Sequence, residues 1–173
     1  IQKEIHPGIF AVMDGTIVGD GPGPRCMRPH VKNFILASDD CVAIDAIAAK
    51  MMGFDPMQDL KFIRLAHENG LGVGNPSEIE IVGEDITNVN FGFRGSLNES
   101  TLASRGQKLI YWGPLKPLEN MLLRSPIVPW SYAASRLYHD GFWYPVNGKP
   151  RVKKILATAW GELFNAYGRG AAL

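Results

Sequence analysis

Cysteine is almost missing from this chain: Cys26 and Cys41, fifteen positions apart, are the only two among 173 residues. Two thiols do not frame a small disulfide scaffold, and a reducing, cytoplasmic compartment is the expectation. No C-x-x-C occurs, so zinc-ribbon and ferredoxin-type iron–sulfur ligation find no donors within these residues. No apolar run reaches the roughly 18 residues that a membrane-spanning helix needs, and no signal-peptide pattern is present. The four histidines (His6, His30, His67 and His139) include no pair at helical metal-ligand spacing. The chain opens on Ile1 rather than Met, so a fragment of a longer protein is expected.

Tryptophan and tyrosine are absent from the first hundred residues; all four Trp and all five Tyr follow. Charge divides at the same place. Residues 1–100 carry 8 Lys and Arg against 14 Asp and Glu, and residues 101–173 carry 10 against 3, although the net charge is only +1. Such a split predicts two regions with different surroundings. The expected division is an α/β core over residues 1–95 and a helical, basic, aromatic-rich region over 96–173.

The hydrophobic content of 46% is enough to build a core. Ile9–Met13 reads as a buried strand ending in a turn at Asp14-Gly15, and Phe34–Ala37 as a second buried strand. Ser38, Asp39 and Asp40 offer caps for a helix over Cys41–Met52, with Gly53 as its stop. Apolar residues surround that helix, so it is expected to be the most buried one, with Asp45 hydrogen-bonded inside. Asp55-Pro56 signals a second helix, running to about Glu68. Glu78–Val82 alternates like a half-buried strand. Strand, helix, helix and strand in that order predict an α/β fold, a mixed or parallel sheet with packed helices. Prolines 114, 117, 126, 129 and 145 predict only short helices over 109–146. One amphipathic helix is expected from Pro150 to about Tyr167.

Chemistry is expected at the strand ends. Gly19-Asp20-Gly21-Pro22-Gly23-Pro24 exposes backbone N–H groups that could cradle an anion, with Arg25 or Arg28 adding charge. The loop lacks the Lys-Ser/Thr pair of a Walker loop and does not lead into a helix as a G-x-G-x-x-G fingerprint would. Asp14, Ser38, Asp39 and Asp40 follow strands, where α/β sheets bind ligands, and Asp45 could hold the glycine loop in shape. The ligand-binding set is therefore Asp14, Gly19, Asp20, Gly21, Gly23, Arg25, Ser38, Asp39, Asp40 and Asp45. Carboxylates beside a glycine loop suit a hard divalent metal, with Asp39 and Asp40 as its ligands, or a small anionic ligand. The C-terminal aromatics and cations have two alternatives: a second layer of the fold, or a docking face for a partner protein or a membrane surface. No nucleic-acid motif accompanies them, so nucleic acid is not an expected partner.

These motifs together carry a resemblance. Met13-Asp14-Gly15, then Gly19-Asp20-Gly21-Pro22-Gly23, then Ile35-Leu36-Ala37-Ser38-Asp39-Asp40, then Val42-Ala43-Ile44-Asp45-Ala46, resemble the domain of unknown function 362 family. Gly53-Phe54-Asp55-Pro56, Gly70-Leu71-Gly72, and Ile79, Ile81 and Gly83 extend the likeness over residues 9–85. The resemblance brings no reaction with it. It implies an N-terminal half before the Asp14-Gly15 block as the missing partner, with a site shared between the halves. Many members carry a ferredoxin-like cysteine module and some are described as iron–sulfur proteins, so the resemblance implies that any cluster would lie outside these residues.

Overall fold

Gly15 is the residue on which the sheet turns out differently from its sequence pattern. In the computed structural model, which describes residues 2–6, 8–23 and 25–168, Asp14-Gly15 is not a turn. The strand β1 runs through it, from Ala11 to Asp20. A Cβ at Gly15 would collide with the Phe34 ring, so glycine is needed for close packing across the strand pair rather than for chain reversal. The second strand, β2, spans Arg28–Ser38, and neither apolar run is buried as expected: Val12 is 66% and Ile35 70% exposed. Only residues 21–27 link the two, and so short a link permits antiparallel pairing, whereas a parallel pair needs a crossover of about a dozen residues or more. The fold is mixed α/β with one two-stranded antiparallel sheet among the described residues; the parallel sheet is corrected. Glu78–Val82 forms no strand either. A 3₁₀ turn occupies Pro76–Glu78, Val82 is exposed, and only Ile79 packs on the core. Alternation without an edge to pair with does not make a strand.

The chain forms two compact units, residues 1–18 with 31–93, and residues 19–30 with 94–173. The hairpin tip, with its glycines, therefore belongs to the second unit.

In the first unit the helix α1 spans Cys41–Met52, with the bounds its pattern predicts. Asp40 caps it, and Gly53, at φ 101°, ends it in the left-handed region that favours glycine. Ala46, Ala49 and Ile63 form the centre of the core, joined by Val42, Phe54, Leu60 and Ile79. Ile44 and Ile47 are buried too. Asp45 is a correction: it is exposed, on the one open strip of the helix, and does not reach inward. Apolar neighbours still desolvate it enough to push its pKa upward. Asp55 caps a turn rather than a helix, accepting from Met57 N–H (2.9 Å) and Gln58 N–H (3.0 Å). The helix α2 starts later, at Lys61, and runs to Glu68.

The second unit is helical beyond its hairpin tip. It holds α3 (Leu102–Tyr111), the short α4 (Glu119–Leu123) and α5 (Ile127–Tyr138). A π-helical segment, His139–Gly148, leads without interruption into α6 (Lys149–Leu156), so one helical path covers 127–156. The prolines do not cut it, which corrects the expected short helices. Pro126 and Pro129 fall at the first turn of α5, where no N–H donor is required, and Pro150 falls where the π turns give way to α6. Pro145 lies inside the wider π turns. The expected single C-terminal helix is two, α6 and α7 (Ala159–Gly168). Thr158 divides them: its Oγ1 donates to the Ile155 carbonyl (2.6 Å) and accepts from Gly161 N–H (3.3 Å).

Candidate functional site

Asp20 ends β1 and, among the described residues, is the charged residue that the second unit buries, at 6% exposure. A buried carboxylate needs donors, and Asp20 has three. Arg28 Nη2 donates to one oxygen (2.7 Å), and the N–H groups of Arg94 (2.8 Å) and Gly95 (3.1 Å) donate to the other. Burial alone would raise its pKa. Arg28 and the two backbone N–H groups outweigh burial and hold it below the ordinary carboxylate value. The other arm of the Arg28 fork donates to Glu99 (2.6 Å), and Arg94 reaches the second Glu99 oxygen (3.2 Å). Glu99 and then Asp20 push the Arg28 pKa upward, so this guanidinium stays charged. Gly21, at φ 97°, stands over the pair. A Cβ there would come within 3.1 Å of Glu99 Oε2 and 3.3 Å of Arg28 Nη2, so glycine suits both its backbone and its neighbours.

A cleft of about 330 Å³ opens beside this network, entirely within the second unit. Pro22 and Cys26 of the hairpin tip line one part of it, with Arg28 and Glu99. Ser100 and Thr101 precede α3, whose first turn is closed by a capping box: Ser104 N–H to Thr101 Oγ1 (3.2 Å) and Thr101 N–H to Ser104 Oγ (2.8 Å). Arg105 lines the cleft from α3, and Tyr138, Trp143 and Arg151 line it from the long helical path.

Two of these arginines have no carboxylate partner among the described residues. Arg105 is exposed, with no ion pair among the described residues. Arg151 donates to the carbonyls of Cys26 (3.0 Å) and Met27 (3.2 Å), and its guanidinium lies 5.2 Å from the Trp143 ring centroid. His139 stacks on the same Trp143 at 5.2 Å and 18°, and its Nδ1 meets Asp140 (2.7 Å). The lining thus carries three arginines against one carboxylate, an excess of positive charge in a concave, partly apolar wall. That arrangement can attract an anion, and Ser100 in the same lining accepts from Lys108 Nζ (2.8 Å).

The residues singled out from sequence separate into two sets. Asp20 and Gly21 build the network behind the cleft. Gly19 and Gly23 pack on Met27, where a Cβ would come within 2.7 Å and 3.2 Å of its sulfur; both serve the shape of the tip. Arg25 is exposed and does not line the cleft; Arg28 does. Pro24 lies outside the described residues. Asp14, Ser38, Asp39, Asp40 and Asp45 belong to the first unit and are engaged locally or point to solvent. Thr16 donates to Asp14 (2.8 Å) and lowers its pKa. Ser38 Oγ accepts from Asp40 N–H (3.0 Å). Asp40 Oδ1 accepts from Val42 N–H (2.8 Å) and Ala43 N–H (3.1 Å), and its Oδ2 from Val73 N–H (2.7 Å). Both oxygens are thus spoken for by the backbone, and Asp39 is exposed. No cluster of three or more His, Cys, Asp or Glu able to hold a metal occurs among the described residues.

Asp40 is therefore a structural cap, and its replacement has an expected result. Asp40→Ala removes acceptors for three N–H groups and is expected to cost about 1–2 kcal/mol of stability in urea unfolding, with Asp40→Asn milder. Equal stability of all three proteins would show that the Val73 and helix-cap bonds contribute nothing.

Glu99, Arg105, Trp143 and Arg151 escaped the sequence pattern. Arg151 sits in a run with Lys153 and Lys154, among the cations whose alternatives are a second layer of the fold or a docking face, and Glu99 stands alone before α3. Compared with family models, curated proteins and solved structures, the chain matches none of them. The motif series over residues 9–85 is thus the whole basis of the family resemblance.

Proposed function

We propose that the second unit is a binding module for a small anion carrying phosphate or carboxylate groups, held in the cleft by Arg105 and Arg151. The observation that carries this reading is the pair of arginines without carboxylate partners in a cleft that already holds a neutralised Arg28. Arg28 is bound to Asp20 and Glu99, so its role is to fix the tip; the other two supply the attraction. Bidentate guanidinium contacts suit planar carboxylates and tetrahedral phosphates alike. Binding alone is assigned, with no reaction. We also infer kinship of residues 9–85 with the domain of unknown function 362 family, on motifs alone. A divalent metal enters this reading only as a counter-ion brought by the anion.

Thermal unfolding with pyrophosphate, citrate or chloride at matched ionic strength tests the reading. Pyrophosphate or citrate is expected to raise the wild-type midpoint, by the equivalent of about 2.7 kcal/mol at a hundred times its dissociation constant. Chloride is not. Arg105→Ala removes no side-chain bond seen among the described residues and is expected to leave the unliganded midpoint in place while reducing the shift. An undiminished shift in Arg105→Ala would contradict the assignment.

A further inference from the structure

The helix α5 presents an anomaly. Every side chain from Pro129 to Tyr138 is exposed, although the helix is rich in apolar residues. Trp130 is 74% and Leu137 76% exposed. At 3.6 residues per turn, Trp130, Ala133, Ala134 and Leu137 share one stripe, Tyr138 borders it, and Ser131, Tyr132, Ser135 and Arg136 fall on the other side. The π segment that continues the helix adds Phe142, also exposed. An amphipathic helix with its apolar stripe in water implies an apolar occupant for that stripe.

The charges around the helix identify the occupant. Residues 101–173 carry 10 Lys and Arg against 3 Asp and Glu. Arg136 is exposed on α5, and Lys149, Lys153 and Lys154 are exposed on α6 along the same helical path. Protein–protein interfaces favour Trp, Tyr and Arg but are depleted in Lys. A helix carrying Trp and Leu on one side, flanked by Lys and Arg, has the composition that lies in the boundary layer of an anionic membrane. No helix among the described residues is long and apolar enough to cross a membrane, so the contact is with the surface.

We propose that α5 and the adjoining π segment dock on an anionic lipid surface, with Trp130 and Leu137 inserted at the level of the headgroups and the α6 lysines paired with lipid charge. The docking segment borders the cleft at Tyr138 and Trp143, but the proposal does not depend on the anion-binding reading.

Sedimentation of the full chain with vesicles of phosphatidylcholine, with or without phosphatidylserine, tests the proposal. The chain is expected to pellet with phosphatidylserine vesicles and to remain largely in solution with phosphatidylcholine alone. Trp130→Ser/Leu137→Ser alters only exposed positions and is expected to weaken vesicle affinity about tenfold or more with an unchanged circular dichroism spectrum. Lys153→Glu/Lys154→Glu is expected to weaken it by a similar factor and to reduce its salt dependence. Three results would each overturn the proposal: no pelleting with either vesicle, sedimentation-equilibrium dimerisation that Trp130→Ser/Leu137→Ser abolishes while vesicles are ignored, or binding to an RNA oligonucleotide in preference to vesicles.

Discussion

Ile63→Ala is expected to lower the stability of the first unit by about 2–5 kcal/mol, measured by urea unfolding followed by far-ultraviolet circular dichroism. Ile63 is 1% exposed and sits against Ala46 and Ala49 at the centre of the core. Truncation removes the transfer free energy of three carbons and leaves a cavity that small neighbours cannot fill. The alanines on α1 let α2 approach closely, and so leave little side-chain volume able to relax into the gap. A loss below about 1 kcal/mol would mean that the site collapses freely, and that the core is not organised around this contact.

Asp20→Ala is the second large effect, expected at about 2–4 kcal/mol. It deprives the Arg94 and Gly95 N–H groups and one arm of Arg28 of their acceptor. Arg28 keeps Glu99, which limits the loss. All four tryptophans lie in the second unit, so tryptophan fluorescence reports its unfolding directly. The pH dependence has a definite sign. The folded-state pKa of Asp20 is depressed, so its contribution is fully present above the unfolded carboxylate value of about 4 and disappears as pH falls through the lower folded value. Glu99, lowered chiefly by Arg28, acts in the same direction. The wild type is therefore expected to lose stability on acidification more steeply than Asp20→Ala. Parallel acid profiles for the two proteins would contradict the assignment of Asp20 as a charged anchor.

The parts of the fold legible in sequence were those with local causes. The helix Cys41–Met52 carries its cap, its apolar pattern and its stop within fourteen consecutive residues, from Asp40 to Gly53, and forms with the expected bounds. The sheet was less legible, because Gly15 looks like a turn and only the Phe34 ring, nineteen positions away, explains it. The prolines misled for a related reason: their effect depends on whether each one falls in a first turn, and the pattern of residues 109–146 does not mark where helices begin. The site divides the same way. Asp20 and the glycines announce a loop with unusual demands, but the residues that complete the cleft come from positions up to 129 residues downstream of the loop's Pro22, through Arg151. Conversely, Ser38, Asp39 and Asp40 resemble a ligand loop in sequence because capping a helix and binding a ligand ask for the same acceptor groups.

Isothermal titration calorimetry with pyrophosphate, on the wild type and on Arg105→Ala and Arg151→Gln, tests the central claim most directly. The expected result is saturable one-site heat for the wild type at physiological salt, at least tenfold weaker affinity in each variant (about 1.4 kcal/mol), and no change for Asp39→Asn in the first unit. Equal affinity in all four proteins, or weakening by Asp39→Asn alone, would contradict it and return the site to the aspartates at the strand ends.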